Sequence, residues 1–466
     1  MRRGAAALVL VAALAGCTLG PDYRRPAVPT PEAWRQAEPS ADPASLADLE
    51  WWTLFDDDEL RGLVRAALEA NKDLRVAVAR VEQARALLGV ARAGLFPQLG
   101  AGASATANRV SDTVEPRGFG GESDLFATTL DLSFEIDLWG RLRRATEAAR
   151  AELLAAEEAR RTVVMTLVSD VAVNYLALRQ LDLELETTRR NLASRERSLQ
   201  LVRDRFEAGL TSALDLRQAQ AELASTAAQI PDLERQIAQT EHRLSVLLGR
   251  PPGPIVRGRP LTGQLFPPEV PAGLPSALLE RRPDIRQAEA ALVAANARIG
   301  VARAAFFPQI SLTGLFGVES AALSDLFTGP SRVWQFGPAV TLPIFTAGRN
   351  RANLALAEAR QREALARYEQ AIQQAFREVE DALVAYRQAR LALAEQAAAV
   401  QAAREALRIA EDRYTSGLTN YLSVLDAQRT LLAAEVAESR TLLARLVAVV
   451  QLYRALGGGW GADAPE

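Results

Sequence analysis

Residues 205–220 read RFEAGLTSALDLRQAQ, and residues 413–428 read RYTSGLTNYLSVLDAQ. The two stretches repeat each other at an offset of 208 residues, with Gly209 and Gly417 at the same place in a shared Gly-Leu-Thr sequence. Each stretch interrupts a long segment that is rich in Ala and charged residues and is otherwise typical of a helix. A glycine just past a helix end adopts the left-handed conformation without strain. We therefore expect one helix to end at each glycine and a second helix to return antiparallel to it.

The whole chain is built from two copies of one plan. Residues 69–98 match residues 280–309 at an offset of 211, and both stretches end in Phe-Pro-Gln. A repeat of this size is typical of an architecture in which each copy is one structural unit. Between the copies, residues 249–275 are rich in Pro and Gly and are predicted to be a linker. The predicted boundaries are 60–248 for the first copy, 276–457 for the second copy and 458–466 for a C-terminal tail.

Composition and charge exclude several classes of protein. Hydrophobic residues make up 49% of the 466 residues, so the chain is not expected to be disordered. The formal net charge is −3, which gives no electrostatic reason to expect a nucleic acid as a partner. Cys17 is the only cysteine, so no disulfide can form within the chain. The fold must therefore be stabilised by packing.

The N-terminus resembles the signal peptide of a bacterial lipoprotein. A basic pair precedes an apolar stretch that is too short to span a bilayer as a helix, and residues 14–17 read LAGC, which resembles a lipobox. We expect residues 1–16 to be removed, a lipid to be attached to Cys17, and residues 17–59 to form a Pro-rich extension. Thr18 stands where an aspartate tends to retain such lipoproteins in the inner membrane. The sequence therefore predicts sorting to the outer membrane.

After each Phe-Pro-Gln the hydrophobic pattern changes to a period of two, which is typical of strands. From residue 126 to residue 138, apolar residues occupy one face and polar residues, among them Asp131 and Glu135, occupy the other. The predicted strands are 96–108 and 124–139 in the first copy and 307–319 and 332–346 in the second. Their length and their separation from any other strand favour a lipid-exposed barrel with a wet lumen over a sheet that covers a soluble core.

Four strands are too few to close a barrel, because the smallest barrels of this kind need about eight. The chain is therefore expected to oligomerise, and two, three or four copies would give about 8, 12 or 16 strands. No transmembrane helix is expected in the mature chain, because no run of about 18 or more uncharged apolar residues occurs there. If the chain crosses a membrane, it must do so as strands of a closed barrel.

The predicted helices that follow the strands are longer than a globular core needs. The segment from 141 to 208 contains no Gly or Pro and would reach roughly 100 Å as a helix. Apolar residues recur at every seventh position of both copies, as they do in a coiled coil. They are Leu178, Leu185, Leu192, Leu199 and Phe206 in the first copy and Tyr386, Leu393, Val400, Leu407 and Tyr414 in the second. The helical hairpins are placed at 141–248 and 349–456, and they favour a tube over a soluble helical bundle.

The lipobox, the duplicated Phe-Pro-Gln strand starts, the Gly-Leu-Thr tips and the stretch YLSVLDAQR at 421–429 together resemble one family. This family is the outer-membrane factors, which are TolC- and OprM-like, and specifically the lipoprotein branch with NodT-type members. The resemblance covers essentially the whole mature chain. It implies a mixed, mainly helical homotrimer in which twelve strands form one membrane β-barrel and the helices form a periplasmic coiled-coil tunnel.

The resemblance also implies a function and partners. The family provides the outer-membrane exit duct of tripartite efflux pumps, coupled through a periplasmic adaptor (a membrane fusion protein) to an inner-membrane transporter of the RND type. Outer-membrane lipid would surround the barrel. The duct would conduct passively through a gated channel, and the cargo would be set mainly by the transporter and the adaptor.

A periplasmic gate is implied as well, where inner helices of the three subunits meet near the axis. Matched residue by residue, Leu422 is the apolar constriction and Asp426 is the acidic ring. Arg429 lies one turn after Asp426 and is placed to restrain it. Three carboxylates around an axis could hold cations or protons. Tyr414 and Asp215 match positions that link the two hairpins by hydrogen bonds in some members of the family.

Thr419 and Ser423 depart from those members, which carry an arginine and a second aspartate there. The network that closes the gate is therefore expected to differ in this chain. The residues expected to contact the adaptor at the hairpin tips are Gly209, Leu210, Thr211, Gly417, Leu418 and Thr419. The alternative interpretation of these six residues is that they simply make two good turns.

Catalysis finds little support in the sequence. His242 is the only histidine and lies between Glu241 and Arg243 on a polar helix, which favours a solvated side chain over a catalytic or metal-binding one. No CxxC, HExxH, GxSxG or phosphate-binding glycine loop is present, so no metal and no cofactor is expected apart from the lipid on Cys17. Two alternatives to an efflux duct stay open: a type I protein-secretion duct, and a lipid-anchored periplasmic coiled-coil scaffold without a channel.

Overall fold

The computed structural model describes residues 18–35, 45–48, 50, 56–111, 113, 121–264, 273 and 275–458. The predicted signal peptide and Cys17 lie outside the described residues, as does all but the first residue of the predicted tail. The internal contacts divide the chain into two compact units. Unit one comprises 1–27, 80–157 and 287–369, and unit two comprises 28–79, 158–286 and 370–466.

Each copy of the repeat has the same order of elements: helices, then two strands, then a pair of long helices. The first copy contains α1 (Asp58–Ala70), α2 (Lys72–Ala93), β1 (Gln98–Val110), β2 (Gly121–Ile136), α3 (Arg141–Glu207) and α4 (Ala213–Leu247). The second copy contains α5 (Leu278–Arg281), α6 (Pro283–Ala304), β3 (Gln309–Ser320), β4 (Arg332–Thr341), α7 (Arg349–Thr415) and α8 (Tyr421–Ala455). The long helices match in length, because α3 and α7 have 67 residues each and α4 and α8 have 35 each.

The helical segment that precedes β1 is broken at Asn71 into α1 and α2. The side-chain oxygen of Asn71 accepts the backbone N–H of Leu74 at 2.9 Å, which caps the start of α2. Its amide group donates to the carbonyl oxygen of Leu247 at 2.9 Å, so the break is also fastened to the end of α4. In the second copy Pro283 takes the first position of α6, where a helix does not need an N–H group.

The four strands form one antiparallel sheet in the order β1-β2-β3-β4. Ala101 faces Leu130, Leu130 faces Phe316 and Phe316 faces Trp334, so the register lines up one apolar row across the sheet. The last three of these side chains are more than half exposed. Among the described residues, β1 and β4 each pair on one side only, which leaves two free edges. Free edges and an exposed apolar face mark a sheet that is incomplete within one chain.

Two acidic residues at the end of the first strand pair are used by the helix that follows. Arg141 donates through Nε to Glu135 at 2.9 Å, and Arg143 donates through Nε to Asp137 at 3.2 Å. The Asp137 carboxylate also accepts the backbone N–H groups of Leu142 and Arg143, each at 2.9 Å, and so caps the start of α3. At this end of β2, the acidic side chains that were predicted to line a lumen therefore connect the sheet to α3.

An N-terminal strap, defined as residues 18–25, lies along unit one. The N–H of Leu19 donates to the carbonyl oxygen of Trp139 at 3.1 Å, and the carbonyl oxygen of Leu19 accepts a bond from Arg144 Nε at 3.2 Å. Arg144 is buried and also bonds Asp22 at 2.7 Å. These bonds fix the chain that follows the predicted lipidation site to the start of α3.

Unit two contains a buried carboxylate, Asp57, that joins three segments of the chain. Asp57 accepts the backbone N–H groups of Glu59 and Leu60 at 3.0 and 3.3 Å and thereby caps α1. It also accepts bonds from the Tyr175 hydroxyl of α3 at 3.1 Å and from the Gln264 amide at 2.7 Å. Each of these donors offsets the cost of burying the carboxylate.

One helix in the described part of the chain is long and apolar enough to cross a membrane by composition. It is α3, in which an 18-residue stretch has a mean hydropathy of 1.3. The sequence predicts no membrane-spanning helix, because no uninterrupted run of about 18 uncharged apolar residues occurs in it. Half of the stretch is buried inside the protein, and the core helix of a soluble protein meets the same criterion, so the composition is weak evidence for a membrane span.

Candidate functional site at the hairpin tips

The two hairpin tips share one backbone geometry. Gly209 follows α3 with φ of 73°, and Gly417 follows α7 with φ of 72°. After each glycine, the N–H of the leucine bonds the carbonyl oxygen five residues earlier at 2.8 Å. This bond and the left-handed glycine define the Schellman motif, which satisfies carbonyl groups that a helix end leaves free. The prediction that both glycines end the long helices is confirmed.

The residues after the two glycines present apolar surface to solvent. Leu210 is 70% exposed and Leu418 is 69% exposed, while Thr211 and Thr419 are half-buried. Both tips therefore carry an exposed leucine at the same position of the same turn. Contact of these residues with an adaptor stays a prediction.

The helices that return from the tips start with different caps. At the start of α4, Ser212 and Asp215 form a capping box in which each side chain binds the backbone N–H of the other residue. At the start of α8, Asn420 accepts the N–H of Ser423 at 3.3 Å, and the hydroxyl groups of Thr419 and Ser423 lie 2.9 Å apart. The two positions that depart from the family pattern thus pair with each other as neutral hydroxyl groups.

Tyr414 and Asp215, which match positions that link the two hairpins in some members of the family, form no such link among the described residues. The Asp215 carboxylate is occupied by its own cap, where it accepts bonds from the hydroxyl groups of Thr211 at 2.6 Å and of Ser212 at 2.9 Å. Partial burial acts to raise the pKa of Asp215, but these bonds outweigh it and hold the pKa below its usual value. The Tyr414 hydroxyl is buried without a hydrogen-bond partner among the described residues.

Arg205 makes the contact between the tips that the sequence analysis missed. Its guanidinium lies 4.8 Å from the centre of the Tyr414 ring and donates to the carbonyl oxygens of Tyr414 and Thr415 at 3.0 and 3.2 Å. A cation is favourable there because the last carbonyl groups of a helix carry partial negative charge. The sequence signal that could have pointed to this contact is the arginine at equivalent positions, 205 and 413, of the two tip stretches.

Leu422 and Asp426 lie on the exposed face at the start of α8. Leu422 is 45% exposed, and Asp426 is exposed one turn further on. Between them, Val424 and Leu425 are buried against the first hairpin, together with Tyr421. The structure thus brings the two predicted gate residues to one face of a helix that is fixed on its other side.

Arg429 does not pair with Asp426, in contrast to the prediction. Its Nε and Nη2 atoms both bond Glu222 of α4, at 2.7 and 2.5 Å. Glu222 is buried beside Arg429, and a charged group gains more from a partner that is shielded from water. This contact between helices could not be foreseen from spacing along α8.

Other chemistry-bearing residues do not assemble into a second site in the described ranges. Within these ranges, no three His, Cys, Asp or Glu side chains cluster in a way that could hold a metal ion. The His242 side chain is exposed on α4.

Comparison with known proteins identifies the family. The model of the outer membrane efflux protein family matches residues 63–250 and 274–458. This chain belongs to the outer membrane efflux protein family. It is 42% identical over 467 residues to outer membrane protein OprJ from Pseudomonas aeruginosa, across 98% of this chain and 96% of OprJ. It is 41% identical over 464 residues to the toluene efflux pump outer membrane protein TtgF from Pseudomonas putida, across 97% and 96% of the two chains.

A solved structure extends the comparison to the fold of this efflux protein. The open state of the Neisseria gonorrhoeae MtrE outer membrane channel has a TM-score of 0.87 and 36% identity, covering 97% of this chain and 100% of that one. The predicted family, the mainly helical fold with four strands per chain, and the location in the outer membrane are confirmed. The roles of the gate and tip residues stay predictions.

Proposed function

We propose that three copies of this efflux protein close one outer-membrane barrel and form the exit duct of a tripartite efflux pump. The observation that carries the proposal is the open four-stranded sheet. Its exposed apolar row crosses all four strands, and its two edges pair with no other strand in the described part of the chain. Three such sheets supply about twelve strands, enough for a barrel with an open lumen. The edges then pair between subunits, and the apolar row faces lipid instead of water.

The partners of the duct follow from its position in the pump. Leu210 and Leu418 give each subunit two similar apolar contacts for a periplasmic adaptor, one on each hairpin. A passive duct cannot by itself move a substrate against its concentration gradient, so we propose that an inner-membrane transporter of the RND type supplies the energy for efflux. We further propose a covalent lipid on Cys17, the residue that precedes the N-terminal strap in the sequence.

The test is single-channel conductance of the purified protein in a planar bilayer. Wild-type protein is expected to show a low, cation-preferring conductance, and the double variant Leu422→Ala/Asp426→Ala is expected to show a higher one. Leu214→Ala is the matched control, because Leu214 occupies the equivalent position of the first copy and is also exposed. Equal conductance in the double variant and the wild type would move the constriction away from α8.

The alternative of a lipid-anchored scaffold makes a different prediction. A duct needs detergent after lipidation is removed, because its barrel still faces lipid. The Cys17→Ser protein is therefore expected to remain in the membrane fraction as a heat-modifiable trimer. A Cys17→Ser protein that is soluble without detergent, or a wild-type protein that inserts without conducting, would refute the duct.

A further inference from the structure

Three charged residues near the tips join the two helical hairpins, and we name them the tip clamp: Arg195, Glu222 and Arg429. Arg195 of α3 bonds one carboxylate oxygen of Glu222 on α4 at 2.5 Å. The other oxygen of Glu222 accepts two bonds from Arg429 of α8, at 2.7 and 2.5 Å. Thr226 accepts a further bond from Arg195. One carboxylate is thus shared by two arginines that come from different hairpins.

The two arginines differ in their freedom to leave Glu222. The Arg195 side chain is 4% exposed and that of Glu222 is 9% exposed, whereas the Arg429 side chain is 57% exposed. A buried arginine without its carboxylate would be an uncompensated charge, which is strongly destabilising. Arg429 reaches solvent and can leave at smaller cost. It is therefore the member of the tip clamp that can exchange partners.

Glu222 is held in its ionised form by this arrangement. Burial acts to raise the pKa of Glu222, but the bonds from Arg429 and the charge of Arg195 outweigh burial, and the pKa lies below its usual value. A carboxylate that stays charged at neutral pH can retain Arg429 throughout the physiological range.

A second carboxylate lies within reach of Arg429 on its own helix. Asp426 precedes Arg429 by three positions, a spacing that makes two side chains neighbours on a helix surface. The Asp426 side chain is exposed, and no ion pair to it occurs within the described residues. The pKa of Arg429 is raised mainly by its bonds to Glu222, with a smaller contribution from the charge of Asp426. Glu222 and Asp426 thus compete for one guanidinium.

The same ion pair helps to fix the start of α8. Beside it, the Gln428 amide donates to the Ser198 hydroxyl of α3 at 2.9 Å, and buried side chains of α8 pack on the first hairpin. Leu422 and Asp426 lie on these first turns of α8, so their positions depend on how firmly the turns are held.

We propose that Glu222, anchored by Arg195, is a positioning residue that keeps Arg429 away from Asp426 and holds the start of α8 on the first hairpin. It thereby sets both the charge of the predicted acidic ring and the opening of the predicted gate. The inference rests on the proposed function, because it needs a channel whose constriction includes Asp426.

Two variants that break the same ion pair are expected to move ion selectivity in opposite directions. In Glu222→Gln, the start of α8 loosens and Arg429 turns to Asp426, so the channel opens more and its cation preference falls. In Arg429→Gln, the start of α8 also loosens, but no cation approaches Asp426, so the cation preference is kept or rises. Loss of the charge-assisted bonds is expected to raise the ratio of open to closed time on the order of tenfold in both.

The chain offers a matched control pair on the same helix. Arg440 of α8 bonds Glu184 of α3 at 2.9 Å, and their side chains are 66% and 10% exposed, close to the values for Arg429 and Glu222. Glu184→Gln therefore breaks an ion pair of similar burial at a distance of 14 positions from Asp426. Its open fraction and selectivity are expected to equal those of the wild type.

The measurement is single-channel recording of detergent-purified trimers, with the reversal potential in a salt gradient as the selectivity readout. Opposite selectivity shifts in Glu222→Gln and Arg429→Gln, with no shift in Glu184→Gln, would support the tip clamp. Shifts in the same direction, or a Glu222→Gln channel like the wild type, would overturn it. If Glu222→Gln fails to form trimers, the test rests on Arg429→Gln, because this variant keeps the buried Arg195–Glu222 pair. An open fraction of Arg429→Gln equal to that of the wild type would then refute the tip clamp. A wild-type trimer that inserts without conducting refutes the proposed function instead.

Discussion

Replacing Gly300 by alanine is expected to loosen the N-terminal strap, whereas replacing its repeat partner Gly89 is not. The two glycines occupy the same position of α6 and α2, 211 residues apart. A side-chain carbon on Gly300 would lie 2.5 Å from the Leu19 carbonyl oxygen and 2.8 Å from Cγ of Arg144. A side-chain carbon on Gly89 would meet nothing within 4 Å in the chain. The repeat thus supplies a matched control for the effect of the substitution on the helix itself.

The size of the effect follows from these distances. Ordinary contact between the added carbon and a neighbouring atom begins at 3.4 Å. The Leu19 carbonyl oxygen, at 2.5 Å from that carbon, would therefore have to move away by about 0.9 Å. Such a shift breaks the 3.2 Å bond from Arg144 to Leu19, and a bond to a charged group contributes about 1.5–3 kcal/mol. Both variants gain about 1 kcal/mol from the greater helix preference of alanine, which cancels in their comparison. The strap is therefore destabilised by about 1.5–3 kcal/mol in Gly300→Ala relative to Gly89→Ala.

Limited trypsin digestion of the detergent-purified protein measures this difference. Arg24 lies exposed within the strap, and cleavage after it requires the strap to open locally. When opening of the strap is fast relative to cleavage, the cleavage rate follows the population of the open strap. Gly300→Ala should therefore be cut faster than Gly89→Ala by a factor on the order of ten or more. Equal cleavage rates in the two variants would show that the close approach of Gly300 to the strap does not hold it in place.

The remaining predictions concern the tips. Because the pKa values of Glu222 and Asp215 are both lowered by their partners, the stability they contribute is fully present above the ordinary carboxyl range and is lost as pH falls through the lowered values. The midpoint temperature of thermal unfolding should stay constant from pH 7 to pH 5 and decrease once the pH is below about 4. Asp215→Asn should remove part of that decrease, and a decrease centred near pH 6 would contradict the assignment to these two carboxylates. Tyr414→Phe removes a buried hydroxyl that has no hydrogen-bond partner among the described residues, so the free energy of unfolding should be unchanged or rise by up to about 1 kcal/mol. A loss of stability in Tyr414→Phe would show that the hydroxyl finds a partner in the assembled channel.

Features that depend on a local pattern of residues were predictable from the sequence alone. The offset repeat predicted two equivalent hairpins, and the glycines at 209 and 417 predicted where the long helices end, because only a left-handed residue closes a helix in this way. Alternation from 126 to 138 predicted a strand with one apolar face, and the register carries that face across the sheet. These signals are periodic along the chain, so they need no knowledge of the partner element.

The partner that each charged or close-packed group takes became known only from the folded structure. Spacing along α8 pointed Arg429 to Asp426, but α4 brings a buried carboxylate, Glu222, within bonding distance, and a flexible arginine pairs where water is excluded. Likewise Gly89 and Gly300 have equivalent places in the repeat, yet only Gly300 lies against the strap, because the N-terminus occurs once in a chain whose plan occurs twice. A periodic sequence determines which face of an element is buried, whereas the contacts on that face depend on which other segment arrives there.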